Sequence, residues 1–436
     1  IANVETSDMS DTDKKKLIAE ARVLRAWYYS VLWKLWGNVP YYDVNLIFPY
    51  IAEQLKADEV YNNMVTDLEE VLDSKILPMK RELTWAGRMT QAAAAMIYAD
   101  YVMYQKDESR YPKALGYVKE VIASGQYKLV TDYDDLFTYA TEWSDEIILD
   151  INYISAGGKR GWGNAGACGG TVIPAMIGVD GLTYVGGQET GHGPYTEFEG
   201  GWGFCVITRD AYEAFEPGDI RRDVAVLNLD TYQEEMMNRG IAVNYTGRYQ
   251  NTGYFLRKYL GRPGGKADQA GDADLNWENN FHLYRYAETL LVAAELAWRT
   301  NSGEAQGYFD QVRERAGLSP KAISEEAIMQ ERRVELLGEG KRYFDLVRFG
   351  KAAEVLKPGG GAIYVTKDAH RFVCTDGTVT QDKPKGEVKT NADGKPLNLV
   401  INGELKWTGK GAAIPQRPQW TENKKYLPIP QIEIES

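Results

Sequence analysis

Apolar residues recur at helical spacing in two separated parts of this 436-residue chain, and in each part the helical segments come in pairs. In the first part, steps of three or four residues predict the apolar face of an amphipathic helix, made of Leu17, Ala21, Leu24, Tyr28, Val31 and Leu35. Further helices are predicted near 53–73, 88–105 and 111–124. The distance from Ala93 to Gly125 is close to the tetratricopeptide period of about 34 residues. This spacing predicts a helical hairpin.

The second helical part follows the same plan. A helix is predicted over 280–299, and a paired helix over 304–316 follows after a break that contains glycine. Two more helices are predicted near 324–337 and 342–356. Together, the two parts predict a mainly α fold, with a scaffold of tetratricopeptide-like helical hairpins and long irregular loops.

A long glycine-rich stretch, 156–203, follows a strand-like run at 147–151. Its composition excludes a regular helix, and long ordered loops usually carry function. A sugar ring stacks its apolar CH face on an aromatic plane, while its hydroxyls seek amide, carboxylate or guanidinium partners. We therefore predict a glycan-binding site made of Trp162, Trp202, Tyr184, Tyr195, Asn164 and Arg160.

The composition favours a binding surface that is both aromatic and exposed to solvent. The chain holds 29 Tyr and 11 Trp against 11 Phe, and Tyr and Trp combine an apolar ring with a polar group. Its net charge of −12 argues against binding nucleic acid, or an anionic membrane, through net charge. The three His and three Cys show no metal-ligand spacing, so neither a metal nor another cofactor is predicted. No apolar run is long enough to span a bilayer.

Two strings in the glycine-rich stretch resemble cofactor or catalytic motifs. Gly161-x-Gly163-x-x-Gly166 matches a dinucleotide fingerprint, but no predicted helix begins after it to receive a pyrophosphate. Glu197 and Glu199 alternate, which places two carboxylates on one strand face beside aromatic rings, as in a glycosidase. Such a pair on one short strand does not flank a scissile bond from two sides. We therefore predict no enzyme, with a glycoside hydrolase as the least favoured alternative.

Three carboxylates, Glu331, Glu335 and Glu339, share one face of a predicted helix. In a helical bundle such a row can hold two metals, but that site also needs Glu-x-x-His pairs, and no His is near. Arginine and lysine residues surround the row instead. We therefore predict a structural ion-pair cluster, which is costly to break if it is buried.

Composition divides the chain into four stretches. We expect a helical N-terminal half at 1–145, a loop-rich ligand-facing region at 146–279, a second helical region at 280–356, and a β insertion with an extended C-terminal segment at 357–436. The β insertion is predicted from Asp-Gly and Asn-Gly turn pairs flanked by β-branched residues within 357–407. The four stretches are expected to form one unit.

Motifs spread over the whole chain resemble those of SusD/RagB-like proteins. The N-terminal motif is ARVLRAWYY at 21–29, and a later one is EGKRYFDLVRFG at 339–350. The remaining similar segments are, in chain order, 35–40, 210–212, 218–222, 253–259, 285–291, 312–318, 331–336 and 427–434. Their order and spacing match the family from one end of the chain to the other.

The resemblance implies a mainly α fold, with tetratricopeptide-like hairpins as its scaffold. It implies a lipoprotein on the outer face of the outer membrane, which covers a TonB-dependent transporter of the SusC type as a lid. It also implies an oligosaccharide ligand and no catalysis. Family members carry a lipoprotein signal and an acylated cysteine before the first motif, so we expect that N-terminal segment to be missing here.

The leading hypothesis is therefore non-catalytic glycan binding for delivery to a SusC-like transporter. A peptide-capturing lid of the same architecture is the alternative, because some family members take peptides and helical-repeat grooves bind extended peptides readily. The ligand site is expected in the loops that match no family motif, because a shared scaffold is a poor place to encode different ligands.

Overall fold

The computed structural model describes residues 1–155, 159–164, 169–186, 196–248, 251–266, 271–356, 370–374, 386–390, 396–401, 403–407 and 419–428. Its helices are α1 (Ala2–Glu5), α2 (Asp11–Trp36), α3 (Ala57–Ser74), α4 (Gln91–Gln105), α5 (Tyr111–Ala123), α6 (Ile173–Ile177), α7 (Arg209–Tyr212), α8 (Arg221–Ala225), α9 (Leu229–Asn238), α10 (Tyr286–Arg299), α11 (Ala305–Arg315), α12 (Glu325–Glu335), α13 (Arg342–Arg348) and α14 (Ala352–Val355). The mainly α prediction is confirmed.

The strands of the described residues are short, and they pair in antiparallel twos. The pairs are β1 (Val39–Pro40) with β2 (Gln54–Leu55), β3 (Ile147–Ile151) with β8 (Phe281–Arg285), β4 (Thr183–Gly186) with β6 (Ile241–Asn244), β5 (Val226–Asn228) with β7 (Tyr254–Leu256), β9 (His370–Cys374) with β12 (Gly403–Trp407), and β10 (Gly386–Thr390) with β11 (Pro396–Ile401). The last two pairs confirm the predicted β insertion.

The first hydrophobic core lies between helical hairpins. Helix α2 packs against α3, α3 against α4 and α4 against α5, while α10 packs against α5, α11 and α12. Serine or threonine side chains cap the first turns of α2, α4 and α12, which fixes where these helices begin. In α4 the run of small residues is buried, at Ala92, Ala93, Ala94 and Ala95. The predicted tetratricopeptide-like hairpins are thus confirmed.

The buried face of α2 differs from the predicted one. Leu24, Tyr28 and Val31 belong to the predicted stripe, but they are 41%, 57% and 38% exposed. The stripe that faces the core has the same steps of three and four residues, and consists of Ala19, Val23, Ala26, Ser30 and Trp33. The prediction was wrong because both sides of this helix are apolar, and only the packing of α3 and α4 selects the inner one.

The predicted helix over 280–299 is in fact a strand followed by a helix. Residues Phe281–Arg285 form β8, and α10 begins only at Tyr286. Within β8, His282 and Tyr284 are buried while Phe281 and Leu283 are partly exposed, which is the alternation of a half-buried strand. Helical spacing alone continues across this boundary, so it missed the pairing with β3. The predicted helix over 342–356 also divides, near Gly350, whose φ is +70°.

The second hydrophobic core lies under the middle of the chain. It contains the strand pairs β4–β6 and β5–β7 together with α9, and Phe198 lies in its interior. Partly buried Ile173 and Met176 pack the short helix α6 against the same core. This core therefore carries α6, β4 and Phe198, which belong to the glycine-rich stretch in which the ligand site is predicted.

The predicted ion-pair cluster lies in the protein interior. The side chain of Arg285 is 1% exposed and binds Glu146, Glu335 and Glu339. Arg221 is fully buried and binds Asp219, Glu331 and Glu335. Each of the three predicted carboxylates thus meets a guanidinium. No group of His, Cys, Asp and Glu within the described residues has an arrangement that could hold a metal ion.

None of the helices in the described part of the chain combines the length and the apolar character that crossing a bilayer requires.

Candidate functional site

A tight turn presents Trp162 to solvent. The Asn164 N–H donates to the carbonyl of Gly161 at 2.9 Å, so Trp162 and Gly163 form the tip of the turn. The Trp162 N–H donates to Asp272 Oδ2 at 2.9 Å, which fixes the turn to another segment. The Trp162 side chain is 67% exposed. Its backbone is therefore held while its ring remains accessible.

Trp202 and Phe204 lie on a segment that pairs with the end of α6. The Trp202 N–H donates to the carbonyl of Ala175 at 2.7 Å, and the Phe204 N–H donates to that of Met176 at 2.8 Å. Carbonyls at a helix C-terminus lack intrahelical partners, so this pairing satisfies both elements. Gly201 and Gly178 permit the close approach: a Cβ on Gly201 would lie 2.5 Å from the Gly178 Cα.

The three rings form one continuous aromatic surface, which we call the aromatic shelf (Trp162, Trp202 and Phe204). The ring centroids of Trp162 and Trp202 lie 5.9 Å apart with an interplanar angle of 32°. Trp202 and Phe204 lie 6.2 Å apart, edge to face. Phe204 is 46% exposed. A shelf with two solvent-exposed members gives a sugar ring an apolar plane to stack on.

Arg248 holds the Phe204 side of the shelf. Its Nη1 donates to the Trp202 carbonyl at 2.6 Å, and its guanidinium lies 5.2 Å from the centre of the Phe204 ring. Asp180 lies 3.7 Å from its Nε and partly balances its charge. Arg248 thus positions two members of the shelf and adds a donor beside them.

Comparison with known proteins decides the family. The family model described as "SusD family" matches residues 210–436, which is more than half of the chain. This chain belongs to the SusD family.

Solved structures similar to this SusD-family protein bind glycans. The chain is 37% identical to surface glycan-binding protein A from Bacteroides thetaiotaomicron in complex with laminarihexaose, with a TM-score of 0.76 over 100% of this chain and 79% of that one. It is 32% identical to a laminarin-binding SusD-like protein, with a TM-score of 0.71 over 81% of this chain and 75% of that one.

Curated relatives are more distant in sequence. SusD-like protein P2 of Formosa agariphila is 25% identical over 397 residues, which are 85% of this chain and 72% of the relative. The starch-binding protein SusD of Bacteroides thetaiotaomicron is also 25% identical, over 79% of this chain and 66% of the relative.

The structure brings together two of the predicted site residues of this SusD-family protein, Trp162 and Trp202. Asn164 is exposed in the same turn as Trp162. Arg160 precedes that turn; its Nη1 donates to the Gly170 carbonyl at 2.9 Å, so one described contact holds the neighbouring backbone. Tyr195 lies outside the described residues.

Tyr184, the remaining predicted ring, lies in β4 rather than on the shelf. Its hydroxyl lies 3.1 Å from the Tyr232 hydroxyl and accepts a hydrogen bond from the Phe198 N–H at 3.3 Å. Its side chain packs against the second core. These described contacts fix strands and core, which is the role of a ring that pins a loop to the protein body.

Sequence reasoning missed Phe204 and Arg248. The available signal for Phe204 was its place two residues after Trp202 in an aromatic, glycine-containing segment. Gly203 adopts a φ of +68°, a conformation that suits glycine, and the Trp202 and Phe204 rings meet across this bend. Arg248 is distant in sequence, and no local pattern connects it with the shelf.

The two glutamates of the glycosidase alternative have separate partners. Tyr232 donates its hydroxyl to Glu197 Oε2 at 3.0 Å, and burial raises the pKa of Tyr232. Glu199 Oε2 lies 3.3 Å from Lys266 Nζ. These contacts give each carboxylate a structural partner of its own.

Proposed function

We propose that this SusD-family protein binds an oligosaccharide or polysaccharide at the cell surface without chemical change. The observation that carries the proposal is the aromatic shelf, in which Trp162 is 67% exposed beside Trp202. Adjacent aromatic rings that share one exposed surface are typical of a ligand contact, whereas a single exposed ring is not. The similar surface glycan-binding proteins support the same ligand class.

The charges beside the shelf favour a neutral glycan. Arg248 already donates to the Trp202 carbonyl and faces Asp180, so its positive charge is partly balanced. The carboxylate of Asp272 accepts from the Trp162 N–H. A neutral sugar stacks on the rings without having to compete for these groups. Laminarin, named for one similar structure, and laminarihexaose, named for another, are the first glycans to test.

The test is isothermal titration of the purified protein against laminarin, starch, xylan and mannan. The proposal expects saturable binding of at least one of them, with no release of new reducing ends during prolonged incubation. If none of a broad panel of polysaccharides binds, while a mixture of peptides does, the peptide alternative replaces the glycan proposal.

The same incubation tests the proposed absence of catalysis. Glu197 and Glu199 each serve a structural contact, with Tyr232 and Lys266 respectively, which supports a binding role alone. Hydrolysis that appears with the wild-type protein and vanishes in Glu197→Gln would make this protein a glycosidase.

We further propose that the protein acts as a lipid-anchored lid on a SusC-like TonB-dependent transporter at the outer face of the outer membrane. An exposed apolar segment offers a contact surface for such a partner. Its members are 50–84% exposed: Tyr42, Val44, Ile47, Phe48, Tyr50 and Ile51. Contiguous exposed apolar residues mark interaction sites in folded proteins.

Co-purification from detergent-solubilised membranes tests this contact. We expect Ile47→Ser combined with Phe48→Ser to reduce recovery of the transporter, because both side chains are more than 80% exposed and their loss leaves the core intact. Leu83→Ser, at another exposed apolar residue (71%), is the matched control. Equal recovery of the transporter with the wild type, the double variant and Leu83→Ser would show that the contact lies elsewhere on the protein.

A further inference from the structure

A cleft of about 750 Å³ lies at the turn between α10 and α11. This volume is within the range of clefts that hold small molecules. Its walls include Tyr111 at the start of α5, Trp298 at the end of α10, Asn301 in the following turn, and Gln306 in α11. The cleft is distinct from the aromatic shelf, because it lies beside α10 and α11, whereas Trp202 and Phe204 of the shelf pair with α6.

Three polar groups that line the cleft have no bonding partner among the described residues. The indole N–H of Trp298, the side-chain amide of Asn301 and the carboxylate of Glu108 make no hydrogen bond or ion pair there. Other polar walls are occupied: Gln306 donates to Asp310 and to the Lys321 carbonyl, both at 2.8 Å. The cleft thus combines fixed walls with a small set of unused donors and acceptors.

The one arginine of the cleft is already neutralised. Arg299 binds Glu295 and Glu325, each at 2.9 Å. Its guanidinium also lies 5.5 Å from the Trp298 ring centre, which helps to hold the indole in place. Because the charge of Arg299 is balanced and Glu108 carries a negative charge, the cleft offers no attraction to an anionic ligand. A neutral ligand rich in hydroxyl groups matches the donors and acceptors of Trp298, Asn301 and Glu108.

The backbone of the turn does not favour an extended peptide. The N–H groups of Thr300, Asn301 and Ser302 donate to carbonyls of α10, and that of Ala305 donates to Ser302. A peptide that adds to a protein edge needs unpaired main-chain groups. The hydrogen-bonding groups that this cleft presents to a ligand therefore belong to side chains rather than to the main chain.

We propose that this cleft is a second saccharide-binding site, at which Trp298 contacts the sugar ring while Asn301 and Glu108 bind its hydroxyls. The proposal rests on the ligand class of the proposed function but not on the aromatic shelf. Two sites on one protein hold a long polysaccharide more tightly than either does alone, because the second contact becomes intramolecular.

Fluorine NMR of the whole protein labelled with fluorotryptophan reads each site separately. Resonances are assigned with Trp298→Phe, Trp162→Phe and Trp202→Phe, and the probes are laminarihexaose and maltohexaose. We expect the Trp298 resonance to shift with at least one probe, and to do so also in the Trp162→Ala/Trp202→Ala protein. The shelf resonances report on the proposed function in the same spectra, so the two proposals fail independently.

Asn301→Gly tests the role of the amide. Asn301 has a φ of +56°, so glycine keeps the backbone conformation while removing the side chain. We expect about tenfold weaker binding at Trp298, the cost of about one or two hydrogen bonds. Trp85→Ala, which removes an exposed indole elsewhere, should leave the saccharide affinity at Trp298 unchanged. A Trp298 resonance unmoved by either saccharide, or moved only by a peptide mixture, overturns the proposal.

Discussion

The indole rings of Trp162 and Trp202 lie 5.9 Å apart, although the two residues belong to separate segments. Each is held through its backbone: Trp162 by Asp272, and Trp202 by the last turn of α6. Rings that are fixed in this way need not be buried to be ordered. The site can therefore be altered without opening either hydrophobic core.

Gly201 controls the approach of the Trp202 segment to α6. A Cβ at this position would lie 2.5 Å from the Ala175 carbonyl oxygen, so Gly201→Ala must displace the segment. We expect a loss of about 1–3 kcal/mol in the free energy of unfolding, together with weaker glycan binding. In Gly163→Ala the new Cβ has no atom within 4 Å, and urea unfolding should show little change. Equal effects of the two substitutions would contradict the close packing.

Arg248 is expected to position the shelf rather than to stabilise the fold. Its side chain is 42% exposed and ties the Trp202 carbonyl to the Phe204 ring. Arg248→Met should weaken glycan binding several-fold and change the free energy of unfolding by less than about 1 kcal/mol. Titration calorimetry and chemical unfolding measure the two effects. A large loss of stability with unchanged affinity would reverse this assignment.

Arg285 is the centre of the buried ion-pair cluster. Arg285→Met would leave the carboxylates of Glu146, Glu335 and Glu339 without this partner in the interior. We expect a loss of about 3–5 kcal/mol, because an uncompensated buried charge is costly. Arg209→Met removes an exposed pair with Glu213 and should leave the free energy of unfolding nearly unchanged, because solvent screens such a pair. Similar urea midpoints for the two variants would contradict the role of burial.

The carboxyl of Glu142 gives stability an unusual pH dependence. Burial raises the pKa of Glu142 from 4.5 to about 7, against the opposing hydrogen bond from the Asn280 N–H. The folded state thus keeps a proton that the unfolded chain releases. This contribution is fully present below pH 4.5 and is lost as the pH rises through about 7.

Glu339 has the opposite effect at lower pH. Burial works against its charge, but Arg285 and Lys258 prevail and lower its pKa from 4.5 to about 2. Its stabilisation is therefore present above pH 4.5 and is lost as the pH falls towards 2.

Urea unfolding between pH 5 and 8 tests Glu142 separately from Glu339. In this range the wild-type protein should lose stability relative to Glu142→Gln as the pH rises. A pH-independent difference between the two would contradict the raised pKa.

The scaffold could be predicted from sequence because helical spacing and repeat length are local properties. The same spacing could not choose between the two apolar sides of α2, since Leu24 and Val23 both fit a stripe and only packing distinguishes them. It also could not detect β8, because Phe281–Arg285 becomes a strand by pairing with the distant β3.

The candidate site could be anticipated only in part, because it also depends on long-range contacts. Tryptophans in a glycine-rich stretch indicated Trp162 and Trp202, and the structure brings these two rings together. Tyr184 is also an aromatic residue in the glycine-rich stretch, yet its side chain packs against the second core. Which rings stand free depends on the strand pairing of β4 with β6, a long-range property that no local pattern reveals.

The most direct test of the account compares the wild-type protein with Trp162→Ala/Trp202→Ala. The measured quantity is the affinity for a short oligosaccharide of the same type as the polysaccharide that the wild-type protein binds. We predict that short-ligand affinity falls at least about tenfold, equivalent to about 1.4 kcal/mol, while the unfolding midpoint is nearly unchanged. Unchanged affinity in this folded variant would contradict the aromatic shelf as the binding surface.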